Sequence, residues 1–244
     1  MLYANLLLNV LYHIEIEMKI RESCLQTGNF IYKPGISLTK QDFHLQRGIL
    51  GLQRGFSGYY LPITEKYGLE KDSYILFLGR LVPEKGIRYL VEAFKNVKTD
   101  KKLVIAGGSS DTDSFMNELK DSAKDDDRII FTGFVQGQIL KELYSNAYVY
   151  TLPSDLEGMP LSLLEAMSYG NCCLVSNIPE CTEVVEDKAL VFKKSDVNDL
   201  FTKIQKACDY PEMITKIKEQ ATDFIFRKYN WDFVTKETMN LYRR

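Results

Sequence analysis

The sequence predicts an α/β fold, a doubly wound and mostly parallel sheet covered by helices on both faces. From Tyr74 onward, a short apolar run rich in β-branched and aromatic residues, then a glycine or turn, then a longer helical stretch follow one another repeatedly. That alternation is the pattern of βαβ units. Gly79, Gly107-Gly108-Ser109, Gly133, Ser154 and Ser176 each stand just after one of the apolar runs. In a parallel sheet such residues gather along one edge, and ligands of open α/β sheets bind at that edge.

Taken in order, the chain before Glu65 shows no such alternation. Residues 2–16 are apolar, but they lack a basic leader, are too short to cross a bilayer, and run into Glu15, Glu17, Lys19, Arg21 and Glu22. An amphipathic helix fits, one that covers apolar surface on the main domain or on a second copy in a homodimer. The same segment admits peripheral association with a membrane face. Leu45-Gln46-Arg47-Gly48 recurs as Leu52-Gln53-Arg54-Gly55, yet two copies are too few for a repeat architecture, and the stretch reads as a loop. Residues 1–64 are therefore an expected helical or irregular N-terminal extension, and residues 65–244 the expected main domain. Within it, strands are expected over 74–78, 102–106, 128–132, 148–152, 172–176 and 189–192. Helices are expected over 87–97, 112–124, 136–146, 160–169, 197–208 and 211–229.

The most informative stretch is Glu157-Gly158-Met159-Pro160-Leu161-Ser162-Leu163-Leu164-Glu165, two carboxylates eight positions apart around the start of a helix that follows a strand. Pro153-Ser154-Asp155 breaks the strand, and Pro160 suits the first turn of the helix, where a missing N–H costs nothing. Backbone N–H groups near Gly158, Met159, Pro160 and Leu161 then form a cluster that attracts phosphate, reinforced by the helix dipole. Glu165 projects from an otherwise apolar helix, so its carboxylate needs donors to offset desolvation. Paired ribose hydroxyls would supply them, and Glu157 could reach a sugar hydroxyl beside the phosphates. Either glutamate alone reads as a helix-end charge or a solvated position; the pair with its Gly and Pro does not.

This segment resembles the E-x7-E signature of the group 1 glycosyltransferases, the glycogen-synthase-like, retaining enzymes of the GT-B fold. A second element carries the same resemblance. Gly79-Arg80-Leu81-Val82-Pro83-Glu84-Lys85-Gly86 is similar to the family's G-R-x-x-x-x-K-G phosphate segment. The resemblance implies that Arg80 and Lys85 hold a nucleoside diphosphate, that Glu157 positions the transferred sugar and that Glu165 binds ribose. Physically, Arg offers a planar fork and Lys a mobile point charge, while the glycines on either side, Gly79 and Gly86, let the backbone come close. Gly79 and Gly108 are among the expected donor-binding residues. Gly133-Phe134-Val135 occupies the place where the family frames the base, although core packing explains Phe134 about as well. Ile31-Tyr32-Lys33-Pro34-Gly35-Ile36 resembles the family's linker between lobes, and Tyr229-Asn230-Trp231 with Leu241-Tyr242 its last helix. The implied fold for 65–244 is one Rossmann-like GT-B lobe, the donor-binding one, and residues 1–64 would be a remnant of the acceptor lobe and linker. A chain of that kind is expected to bind donor and to transfer sugar poorly by itself.

Composition bounds the remaining classes. With 244 residues, 45% hydrophobic content and a formal charge of −2, the chain can bury a full core and lacks the basic excess of a nucleic-acid binder. Its five cysteines show no C-x-x-C spacing and it has two histidines, which suits a reduced, cytoplasmic compartment and offers little for zinc. Cys172 and Cys173 read as small buried side chains. Asp111-Thr112-Asp113 has a D-x-D form but precedes a helix, where Asp and Thr are ordinary caps. No metal or other cofactor is expected. The expected partners are a nucleotide sugar, preferably a UDP-sugar, and a glycan or lipid-linked saccharide acceptor. Gly107-Gly108 does not complete a dinucleotide-binding fingerprint. A nucleotide-sugar epimerase or hydrolase of similar architecture and an inactive nucleotide-sugar-binding module stay open as alternatives.

Overall fold

A computed structural model of the chain describes residues 62–108 and 113–229, together with Met239. The expectations for residues 1–61, for Ser109, Asp111 and Thr112, and for the segment after Tyr229 lie outside the described residues.

Helix α1 (Ile63–Tyr67) leads into strand β1 (Tyr74–Leu78), followed by a single 3-10 turn (Pro83–Lys85) and α2 (Ile87–Lys95). Then come β2 (Lys102–Ala106), α3 (Asp113–Ala123), β3 (Ile129–Gly133), α4 (Gly137–Asn146), β4 (Val149–Leu152) and α5 (Leu161–Ser168). The described order closes with β5 (Cys172–Ser176), α6 (Pro179–Val185), β6 (Leu190–Phe192), α7 (Val197–Asp209) and α8 (Pro211–Lys228). The six strands form one sheet in the order β3-β2-β1-β4-β5-β6, and every pairing is parallel. This is the doubly wound arrangement, with its reversal of strand order between β1 and β4.

Each expected strand forms within one residue at either end, because runs such as Tyr74-Ile75-Leu76-Phe77 and Cys172-Cys173-Leu174-Val175 are buried throughout, as parallel strands covered on both faces must be. The seven-residue α6 was not anticipated; Pro179 at its first position and the buried Cys181, Val184 and Val185 give it a start and an inner face. Helix α2 stops at Lys95 rather than 97, where the Asn96 side-chain amide donates to the Glu92 carbonyl. On one face of the sheet α2 packs with α3 and α7, and on the other α5 packs with α8.

The amino-terminal edge of the sheet is closed by polar groups that satisfy one another. Lys218 bonds the Asp72 carboxylate and the Ala147 carbonyl, and Lys101 donates to the Asp72 carbonyl at 2.8 Å. Tyr148, at the entry to β4, donates its hydroxyl to the Ala207 carbonyl at 2.6 Å with the Lys101 ammonium 4.0 Å from its ring centre. Tyr74 likewise donates to the Leu143 carbonyl at 2.7 Å. Burial pushes the thiols of Cys172 and Cys181 up to about 12 and raises that of Cys173 well above its usual value, so these cysteines pack as small apolar groups.

Candidate functional site

Three loops leave the carboxyl ends of β1, β2 and β4, and glycines let them touch. Gly86 has φ +66, and a Cβ there would lie 2.0 Å from the Pro153 carbonyl oxygen. Gly107 has φ +147, and a Cβ on it would lie 1.8 Å from the Gly79 carbonyl oxygen. The Asp155 amide donates to the Glu84 carbonyl at 2.8 Å and the Leu81 amide to the Gly108 carbonyl at 3.0 Å. The loop after β1 is thus fastened to both neighbours at the point where strand order reverses.

That fastening delivers Lys85, at the end of its 3-10 turn, to Glu157. The ammonium lies 2.7 and 2.8 Å from the two carboxylate oxygens. Glu157 is only 9% exposed, and it also accepts from the Ser154 hydroxyl at 2.6 Å. Ser176, at the end of β5, donates in turn to the Ser154 carbonyl. A carboxylate so buried requires such donors. The loop that carries Glu157 has a second strut, since the Asp155 carboxylate accepts from Tyr89 at 2.9 Å and from Ser195 at 2.7 Å.

Arg80 differs from Lys85. It is exposed, and its side chain makes no hydrogen bond or ion pair among the described residues. Along the same edge stand exposed apolar side chains, Phe134 at 76% and Leu156 at 65% exposure, with Met159 beside them in sequence at 37%. Val135 instead packs against the core. Gly108 lies against Phe134, whose Cβ would be 3.9 Å from a Cβ built on the glycine. Gly133 ends β3 with φ +70, and neither it nor Gly158 has any atom within 4 Å of a built Cβ.

At the start of α5 the expectation needs correction. Pro160 is the residue before the helix rather than its first residue, and the Leu161 amide is already taken by the Met159 carbonyl at 2.9 Å. The tight turn that Pro160 imposes uses that N–H, whereas the Gly158 and Met159 amides have no backbone acceptor among the described residues.

Glu165, one turn into α5, is half-buried. The first donor to its carboxylate is internal: the Tyr144 hydroxyl, from α4, lies 3.0 Å from Oε2. Burial raises the Glu165 carboxyl above its usual range, and the Tyr144 hydrogen bond lowers it in part. Sequence reasoning missed Tyr144, as it missed Ser154 as a partner of Glu157. Ser154 was legible as a residue following a strand, whereas nothing in the pattern of α4 links Tyr144 to a glutamate 21 residues on. Among the described residues no group of three or more His, Cys, Asp or Glu side chains is placed to hold a metal ion. No described helix is long and apolar enough to cross a membrane.

Residues 62–224 match the profile of the family described as Glycosyl transferases group 1. The chain belongs to the group 1 glycosyltransferases. An uncharacterized glycosyltransferase of Methanocaldococcus jannaschii is 31% identical over 179 residues, covering 71% of this chain and 45% of that protein. O-antigen chain mannosyltransferase B of Escherichia coli is 29% identical over 189 residues, covering 75% of this chain and 49% of its own. Among solved structures, Anabaena HepE in complex with UDP and glucose superposes with a TM-score of 0.65 at 15% identity, over 84% of this chain and 53% of HepE. The fold is that of a Rossmann-like GT-B lobe. This group 1 glycosyltransferase chain spans about half the length of the curated relatives it matches.

Proposed function

We propose that this chain is the donor-binding lobe of a retaining glycosyltransferase that moves a hexosyl group from a UDP-sugar to a glycan or lipid-linked saccharide acceptor on the cytoplasmic side. The observation that carries the reading is the meeting of Lys85 with Glu157 across the reversal in strand order. A cation and a carboxylate there match the two ends of the bond to be broken, between a diphosphate and a sugar.

In this reading Arg80 and Lys85 face the diphosphate and stabilise the charge that develops on it as the glycosidic bond opens, with the Gly158 and Met159 amides adding dipoles. Glu157 orients the sugar hydroxyls, and Glu165 receives the ribose. Gly79 and Gly108 allow close approach, and Phe134 provides an apolar face for the base. UDP is preferred because HepE, similar in fold, was solved with it; the O-antigen relative supports a surface-polysaccharide acceptor.

The test is calorimetry with UDP-glucose in the presence and absence of a chelator. Arg80→Ala should weaken binding by about 1.5–3 kcal/mol, the scale of one charge-assisted hydrogen bond, and chelation should change nothing. Unchanged affinity in Arg80→Ala, or strict metal dependence, would refute the assignment. Lys85→Ala is the less clean variant, because it also strands Glu157 in a buried position without its cation.

A further inference from the structure

Tyr144 holds Glu165 by one oxygen. Its hydroxyl is 3.0 Å from Oε2 and 3.4 Å from the Ser162 carbonyl, and among the described residues Oε1 accepts no hydrogen bond. The ring itself is fixed. Tyr144 is 1% exposed, Tyr169 stacks on it with centroids 5.3 Å apart and planes 12° apart, and its backbone carbonyl accepts from the Asn171 amide at 2.8 Å. A glutamate on a helix surface otherwise has three side-chain torsions to order on binding. Fastening one carboxylate oxygen to an immobile phenol removes most of that freedom beforehand and fixes where the other oxygen points.

We infer that Tyr144 is a positioning residue for nucleoside recognition, anchoring Oε2 of Glu165 so that Oε1 is presented to the ribose hydroxyls of the donor. This rests on the reading of Glu165 as the ribose-binding group. The fold supplies its own control in Tyr150, which belongs to the same aromatic cluster, with its ring 5.9 Å from that of Tyr144. Tyr150 is equally buried, yet its hydroxyl goes to Ser162 Oγ at 2.8 Å and not to Glu165. Each hydroxyl lies within hydrogen-bond distance of two partners, that of Tyr150 also 3.3 Å from the Leu78 carbonyl, but only that of Tyr144 touches the carboxylate.

The experiment titrates UDP and 2′-deoxy-UDP into the wild type, Tyr144→Phe, Tyr150→Phe and Glu165→Gln, with each protein first shown to melt cooperatively. The wild type should prefer UDP by about tenfold or more, the fold-change that corresponds to one hydrogen bond to a charged group. Tyr144→Phe should lose most of that preference while its affinity for 2′-deoxy-UDP stays put, and Tyr150→Phe should keep the preference. A purely structural role would weaken both nucleotides in parallel and leave their ratio intact, which would overturn the proposal. If Glu165→Gln abolishes the preference but Tyr144→Phe retains it, the positioning role alone fails. If the wild type shows no preference, or Glu165→Gln keeps it, the ribose reading fails and the positioning role falls with it. Should Tyr144→Phe not melt cooperatively, Tyr144→Leu takes its place: it also removes the hydroxyl, and a retained preference for UDP there overturns the proposal.

Discussion

The two ends of the sheet differ in what they leave open, although both hold paired polar groups, Lys85 with Glu157 and Tyr89 with Asp155 at the carboxyl edge. At the amino-terminal edge Lys218, Asp72, Lys101, Tyr148 and Tyr74 bond one another or buried carbonyls. At the carboxyl edge the Arg80 guanidinium has no partner among the described residues, and Phe134 and Leu156 are exposed. Yet the backbone of that open edge is packed closely, with Gly86 against Pro153 and Gly107 against Gly79. Closely packed main chain beneath an unpaired cation and exposed apolar side chains is what a binding site needs: the geometry is set beforehand and those contacts are left for the ligand.

The largest effects should come from breaking that backbone. At Gly86 and Gly107 an added Cβ meets a carbonyl oxygen and the left-handed φ is strained as well. Gly86→Ala and Gly107→Ala should each cost about 2–5 kcal/mol of stability, the sum of a left-handed penalty and an overpacking term. Gly133→Ala, strained in φ but with open space around it, should cost about 1–2 kcal/mol. Gly158→Ala has neither problem and should leave stability within about 0.5 kcal/mol. Urea midpoints of the four variants check the ranking; if Gly158→Ala proves as costly as Gly86→Ala, the close approaches are not what holds the edge.

A pair of cation deletions sharpens the contrast between the edges. Lys218→Ala removes donors from the Asp72 carboxylate and the Ala147 carbonyl, and should lower stability by about 1–2 kcal/mol without altering UDP affinity. Arg80→Ala should do the reverse, leaving the urea midpoint in place while UDP affinity falls. A stability loss in Arg80→Ala would mean that the open edge is not open.

Much of this arrangement was legible beforehand, and the reason is local. Continuous apolar runs fix strands buried on both faces, glycines and serines mark their exits, and parallel pairing then brings Arg80, Lys85, Glu157 and Glu165 to one end. Direct contact between Lys85 and Glu157 is a matter of loop conformation. It depends on Gly86 accepting φ +66 against Pro153, which spacing does not encode. The Leu161 amide was misjudged for a similar reason, since the turn at Pro160 uses an N–H that a simple count of helix-end donors leaves free. Tyr144 was invisible because its meeting with Glu165 is a contact between two different helices, α4 and α5, set by tertiary packing rather than by spacing within either. A tyrosine on an amphipathic helix gives no sign of which neighbour its hydroxyl will reach.

The smallest expected effect is the pH dependence that Glu165 gives to stability. Burial holds the Glu165 carboxyl above its usual range, so the folded state binds that proton more tightly than the unfolded chain does. A carboxyl of this kind contributes stability that is fully present below its unfolded pKa, about 4.3, and lost as pH rises through the raised folded value. Glu165→Gln has no such proton to lose. The stability of Glu165→Gln relative to wild type should therefore decline as pH falls from neutral towards 4, because the wild type regains what ionisation had cost it. The Tyr144 hydroxyl opposes the shift by bonding the carboxylate, so in a Tyr144→Phe background the same decline should begin at higher pH. Thermal melts of the four proteins across that range supply the measurement. Parallel curves would show that Glu165 titrates like an exposed side chain and that burial on α5 does not govern its proton.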